Sequence, residues 1–186
     1  MTSRDRTNLV WMDLETTGLD PQTGTILEIA TLVTDKDLNV LSKGPALVIH
    51  QPPEVLAGMD PWARRQHQAS GLLQEVHAST VTLGQAEEET LAAVRRLCPP
   101  RACPLCGSSI CLDRRFLLRH MPKLNAHLSY RHVNVTTVKE LARRWFPDRV
   151  HRNGHQPRHR ALADVLASLD ELRFYRRSVF GGAAEG

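Results

Sequence analysis

Asp13 and Glu15 stand two apart in the stretch Val10-Trp-Met-Asp-Leu-Glu-Thr-Thr-Gly-Leu-Asp20. The stretch reads as an apolar strand that stops at a glycine turn. Residues two apart on a strand point to the same side, so the two acids project together while Met12 and Leu14 face the other way. An unpaired ionised carboxylate in an apolar setting is costly. A hard divalent cation such as Mg²⁺ relieves that cost, because it takes oxygen ligands and shares them with substrate phosphates. Solvent or an arginine serves a lone Asp-x-Glu pair as readily. The rest of the chain adds Asp113, between a strand-like and a helix-like stretch, and His159 with Asp164 at the start of the last helical stretch. A carboxylate at a helix N-terminus is favoured by the dipole, so a plain cap stays open for Asp113. On an ideal helix an offset of five is about 140° of rotation. His159 is therefore expected outside the helix, aimed into the same cleft as Asp164. Surface exposure is the default for one histidine among nine, and His151, His155 and His159 also form a four-spaced series.

Composition bounds what these residues can serve. The 186 residues suffice for one domain with a substantial core, taken as residues 1–180 with a flexible tail over 181–186. The hydrophobic share of 41% is that of an ordinary globular chain, and no apolar run reaches the length of a membrane span. The N-terminus has no apolar core of a secretory signal, so a cytoplasmic protein is expected, with organellar placement left open. The formal net charge of +4 suits a small anionic substrate better than a long wrapped duplex. Cys98, Cys103, Cys106 and Cys111 crowd one stretch; without a signal peptide, free thiols are expected rather than a disulfide framework.

The elements that must position the acids follow from periodicity and breakers. Residues 9–14, 26–34 and 40–49 read as three strands of an antiparallel meander, the third bulged over 42–45. A helix is expected over 61–70, with Pro61 near its first turn. Thr82 and Gln85 form a capping box before a helix over 86–97. Residues 103–110 can be a short buried strand, 114–120 a helix after Asp113, and 132–135 a strand. Thr137 to Glu140 reads as a second capping box opening a helix to about 146, and a last helix is expected over about 160–176. Strands first, then alternating helices and strands, predict an α/β fold: a mixed sheet flanked by helices.

Asp13-x-Glu15, the isolated Asp113 and His159-x₄-Asp164 together resemble the DEDDh family of 3′-to-5′ exonucleases, and within it the oligoribonuclease group. The resemblance runs from Leu9 to Phe180. It is carried by Asp13-Leu-Glu-Thr-Thr-Gly-Leu-Asp20, Ile49-His-Gln-Pro52, Ser70-Gly-Leu72, Cys103-Pro-Leu105, Gly107-x-Ser109, Tyr130-Arg131, Val138-Lys-Glu-Leu-x-Arg-Arg-Trp145, His159-Arg-Ala-Leu162 and Phe174-Tyr-Arg176. It implies a ribonuclease-H-like fold, a homodimer, and hydrolysis of very short RNA, dinucleotides included, to 5′-mononucleotides. Carried over by position, Asp13, Glu15, Asp113 and Asp164 would hold two Mg²⁺ or Mn²⁺ ions, and His159 would be the general base. Leu19 would be an apolar wedge against a base, and Ser109 would bind the terminal 5′-phosphate. Trp62 and His67 would stand beside the cleft, and Thr137 would add a phosphate contact from its helix start. Tyr130 and Arg131 would reach in from the partner subunit, one to stack and one to grip phosphate. Ordinary packing for Leu19 and Trp62, and a solvated side chain for Arg131, stand beside those roles.

The chain departs from the family pattern at several places. Cys111 and Leu112 replace a His–Glu pair before Asp113, Asn134 replaces an Asp, and Arg158 and Ala163 replace a Ser and an Asp around His159. None removes one of the five central residues; an active enzyme with altered metal affinity or rate is expected, since outer partners tune ligands. Cys103-Pro-Leu-Cys106-Gly also looks like half a zinc ribbon, which Cys98 and Cys111 or the histidine series would have to complete, although the matching family stretch is a buried strand without metal. Three other readings compete: a proofreading-type exonuclease on single-stranded DNA, which needs no 5′-phosphate cap; a dinucleotide-binding protein with weak catalysis; and a zinc-stabilised interaction module.

Overall fold

A computed structural model describes residues 4–151 and 159–181. Arg158 and His155, and residues 182–186 of the expected tail, lie outside the described residues. Five strands among those described form one mixed sheet: β1 Leu9–Thr16, β2 Ile26–Thr34, β3 Val40–Val48, β4 Leu105–Gly107 and β5 His132–Asn134, in the order β3-β2-β1-β4-β5. The first three pair antiparallel, as the meander predicts, while β1–β4 and β4–β5 are parallel. The third strand is continuous but irregular where expected: Ala30 faces Ala46 and Leu32 faces Lys43, so Gly44 and Pro45 together oppose Thr31. A Cβ on Gly44 would stand 2.9 Å from the Thr31 carbonyl oxygen, so the close approach needs glycine.

Eight α-helices among the described residues cover the sheet. They are α1 Pro53–Ala57, α2 Pro61–Ala69, α3 Leu72–Ala78, α4 Leu83–Leu97, α5 Cys111–His120, α6 Pro122–His127, α7 Val135–Trp145 and α8 Ala161–Tyr175, the last running on into a π-type turn over Arg176–Phe180. The Thr82–Gln85 capping box closes reciprocally, with the Gln85 N–H donating to Thr82 Oγ1 at 3.2 Å and the Thr82 N–H to Gln85 Oε1 at 2.8 Å. The second expected box, from Thr137 to Glu140, does not form. Helix α7 begins at Val135, and its cap is Asn134, whose side chain accepts from the Thr136 N–H at 3.2 Å. Thr137 therefore already lies in the first turn rather than ahead of it. Asp113 is likewise not a cap, because α5 begins at Cys111. Pro122 follows the end of α5 and opens α6.

Alternation along β1 divides the core. Val10, Met12 and Leu14 pack with Leu91, Val94, Phe116, Leu117 and Met121 under α4, α5 and α6. Trp11, on the opposite face, packs with Ala30, Leu32, Val135, Ala161, Val165 and Leu169 under α7 and α8. Its indole N–H, which needs a partner once buried, donates to Thr34 Oγ1 at 3.0 Å. Asp13 and Glu15 share Trp11's side of the strand and are thereby turned toward α8. No helix among the described residues is long and apolar enough to cross a membrane.

Candidate active site

The parallel pairing of β1 with β4 covers only Val10–Leu105 and Trp11–Cys106. Beyond it the strand edge is free of β4, and the Leu14 N–H donates to Asp113 Oδ1 at 2.9 Å. That bond brings the start of α5 against the acid-bearing end of β1. From the opposite side, α8 contributes Asp164 in its first turn. Carboxylate oxygens of Asp13, Glu15 and Asp164 lie within 4.8 Å of one another, the one such group of metal-ligating side chains found among the described residues. The cysteines assemble no comparable set there: Cys98, Cys103 and Cys106 are buried free thiols and Cys111 is exposed at the start of α5.

Crowding these acids away from water raises their proton affinity. Asp13 is raised well above the ordinary carboxylate range, first by burial and then by the charges of Asp113 and Glu15. Glu15 is raised from 4.5 to about 8, by burial and then by Asp164. Burial lifts Asp113 from 3.8 to about 7, with the Leu14 N–H pulling the other way. A compact set of oxygen ligands that repel one another is suited to a divalent cation, whose charge offsets both penalties.

The acids line one cleft of about 490 Å³ together with Leu19, Trp62, His67, Ser109, Leu112, Asp113 and His159. The Asp60 carboxylate caps α2, accepting from the Trp62 N–H at 2.9 Å and the Ala63 N–H at 3.1 Å. The Asp60 N–H donates to the Thr17 carbonyl at 2.9 Å, so α2 is pinned to the loop after β1. Thus Trp62 faces the cleft, while His67 is buried with Nε2 2.9 Å from the Thr16 carbonyl oxygen. The carbonyl requires the ring hydrogen on Nε2, leaving Nδ1 as a bare acceptor 3.6 Å from Glu15 Oε2. Burial lowers the His67 pKa, which keeps the ring neutral in this setting. Leu19 is 68% exposed at the cleft mouth, outside the packed core.

His159 stands outside α8, as its spacing from Asp164 predicts, with a left-handed φ of +53°. Its ring meets Trp62 edge to face at a centroid separation of 5.4 Å. Ser109, also left-handed at φ +50°, donates its N–H to Thr136 Oγ1 at 2.9 Å, and the two hydroxyl oxygens are 3.2 Å apart. Thr137, the expected phosphate contact, is exposed and does not line the cleft; with α7 starting at Val135, it is Thr136 that reaches Ser109. Sequence reasoning does not single out Asp60, Thr136 or Ser108. Asp60-Pro61 carries a cap signature that marks the first of them. Ser108, which accepts a hydrogen bond from buried Ser168 at 2.8 Å, has no local signal. Tyr130 and Arg131 do not line the cleft of their own chain: Tyr130 is 78% exposed, and Arg131 Nε donates to its hydroxyl at 3.2 Å.

Comparison with known proteins identifies the family. The exonuclease family model of the RNase T type matches residues 10–172. An oligoribonuclease of Pseudomonas paraeruginosa is 54% identical over 169 residues, covering 91% of this chain and 94% of the relative. One from Ralstonia nicotianae is 49% identical over 170 residues, covering 91% and 78%. Among solved structures, exonuclease I of Methylocaldum szegediense superposes with a TM-score of 0.71 at 21% identity, and E. coli exonuclease I bound to a dT13 oligonucleotide with 0.73 at 16%. These superpositions cover 92% and 95% of this chain but 41% and 42% of the longer exonucleases, so they speak for the shared fold alone. With the family model spanning the acid-bearing strand through α8, and relatives half identical across nine-tenths of its length, the chain belongs to the RNase T exonuclease family and, within it, to the oligoribonucleases.

Proposed function

We propose that this chain is a divalent-metal-dependent 3′-to-5′ exoribonuclease that hydrolyses very short oligoribonucleotides, 5′-phosphorylated dinucleotides above all, to 5′-mononucleotides. The observation that carries the proposal is the gathering of Asp13, Glu15, Asp164 and His159 in one cleft whose mouth presents Leu19 and Trp62. The residues from 1 to 180 are taken to act as one exonuclease domain. When bound, two Mg²⁺ or Mn²⁺ ions would stabilise charge on the attacking and leaving oxygens of an in-line displacement. Asp13, Glu15 and Asp164 would hold them, with Asp113 lending its second oxygen. His159 takes the proton of the attacking water, a role suited to an imidazole at the cleft wall. Leu19 and Trp62 sandwich the terminal bases, and Ser109 with Thr136 binds the 5′-phosphate. A capped phosphate pocket leaves a longer 5′ extension nowhere to go, which is the physical basis for preferring dinucleotides.

The family departures do not remove this machinery. Asn134 caps α7, Leu112 adds to the cleft wall, and Ala163 faces a separate hollow with Glu28, Glu75 and Arg160. The deciding experiment compares a 5′-phosphorylated diribonucleotide with its unphosphorylated form, a longer single-stranded RNA and a DNA oligonucleotide, in Mn²⁺, Mg²⁺ or chelator. Metal-dependent release of mononucleotides, fastest from the phosphorylated dinucleotide, is expected. Preference for DNA or for long RNA would shift the reading to a proofreading-type exonuclease, and tight binding without cleavage would leave a dinucleotide-binding protein.

The position of Tyr130 and Arg131 outside their own cleft supports a homodimer in which they complete the partner's site. Arg131→Ala alone and Asp113→Asn alone are each expected to be poorly active. Mixed under conditions of demonstrated subunit exchange, they should regain activity, because one cleft of the heterodimer keeps both residues. No regain would remove the action in trans.

A further inference from the structure

Glu28 is a carboxylate with no place in the proposed metal set, yet it stands directly across the strand pair from Glu15 and is 3% exposed. Its charge adds to the repulsion felt by Asp13 and Glu15. Without a partner it would press that charge on the cluster uncompensated and stand free as a rival ligand. Both of its oxygens are occupied instead. Arg160 Nε donates to Oε2 at 3.3 Å and Nη2 to Oε1 at 3.2 Å, and the Ala161 N–H donates to Oε2 at 3.0 Å. The residue before α8 offers its first turn no side-chain cap, so Glu28 supplies from β2 the acceptor that the helix lacks locally. The same guanidinium also binds Glu75 of α3, Nη1 to Oε1 at 2.7 Å and Nη2 to Oε2 at 2.8 Å.

We infer that Arg160 is a positioning residue, which withdraws Glu28 from the acid cluster and, through Glu28 and Glu75, fixes the backbone from which His159 and α8 depart. His159 is the neighbour of Arg160 and holds a left-handed φ of +53°, a conformation that persists in a residue other than glycine where its surroundings over-determine it. The fork of Arg160 ties that backbone to β2 on one side and to α3 on the other. Guanidinium geometry matters here because one planar group serves two carboxylates, which an ammonium point charge does not reproduce. The inference rests on the proposed role of His159 as proton acceptor.

The test uses Arg160→Gln, Arg160→Lys and Glu75→Gln in the full chain, each checked for folding by circular dichroism. Two readouts are taken: kcat and KM on the phosphorylated dinucleotide with Mn²⁺, and the Trp62 emission of the metal-free protein, isolated by difference from a Trp62→Phe background. Arg160→Gln should lower kcat about tenfold or more with KM within about twofold, as expected when a reacting group is misplaced while substrate affinity is kept. Its Trp62 emission should change, since His159 leaves the indole edge. Arg160→Lys should recover part of both, and Glu75→Gln should show a smaller change of the same kind. A folded Arg160→Gln protein with wild-type kcat and emission would overturn the inference, as would a drop in kcat that merely follows the unfolded fraction. If Arg160→Gln does not fold, wild-type kcat and emission in Glu75→Gln overturn it. Should the wild-type protein cleave none of the substrates, the functional reading fails, while the emission comparison still decides whether Arg160 places His159.

Discussion

Asp13→Asn is expected to reduce turnover about a thousandfold or more, equivalent to about 4 kcal/mol of transition-state stabilisation. The substitution keeps shape and removes one negative charge from the centre of the Asp13, Glu15 and Asp164 group. Calorimetry should show weakened Mn²⁺ binding in parallel. The same change should raise the melting temperature of the metal-free protein near pH 8, because burial and like charge make the ionised Asp13 unfavourable in the folded state. Opposite signs for activity and stability mark a residue kept for chemistry. Activity within tenfold of the wild type would remove Asp13 from the metal set.

Removing metal should make stability fall as pH rises. Glu15 goes from 4.5 to about 8 and Asp113 from 3.8 to about 7 on folding, so the folded state binds these protons more tightly than the unfolded chain. Their contribution is therefore fully present below about pH 4, the unfolded values, and is lost as pH climbs through about 7 and about 8. A loss of several kcal/mol, at about 2–4 °C per kcal/mol for a chain of this size, lowers the melting temperature by about 10 °C between pH 5 and pH 8 in chelator. Saturating Mn²⁺ should reverse the trend at pH 8, where deprotonated ligands bind best. A metal-free melting temperature that does not fall across this range would mean that the acids are not crowded as described.

The acid strand is legible in the sequence because a strand's period of two needs no tertiary information: Asp13 and Glu15 on one side, Met12 and Leu14 on the other. The place of His159 outside the helix is legible for the same kind of reason. What is not legible depends on partners far along the chain. Asp113 looks like a cap in isolation, but its carboxylate goes to the Leu14 N–H, 99 residues away. A local box pattern favours Thr137 over Thr136, and the Asn134 cap beside it overrides that pattern. Glu28 is the one charged residue of its strand and carries no local sign that Arg160, 132 residues later, will occupy it.

The two borders of the sheet are unequal, and that has a consequence for assembly. An open strand border invites pairing with another copy, and proteins blunt such borders with lysine, proline and bulges. The β3 border carries all three, in Lys43, Pro45 and the irregularity opposite Thr31. It is therefore protected against open-ended polymerisation. The opposite border is β5, only three residues long and entered directly from Tyr130 and Arg131. For the proposed homodimer, a contact that involves the sheet is therefore expected on the side bearing those two residues, where closure into a pair would leave no border for a growing fibre.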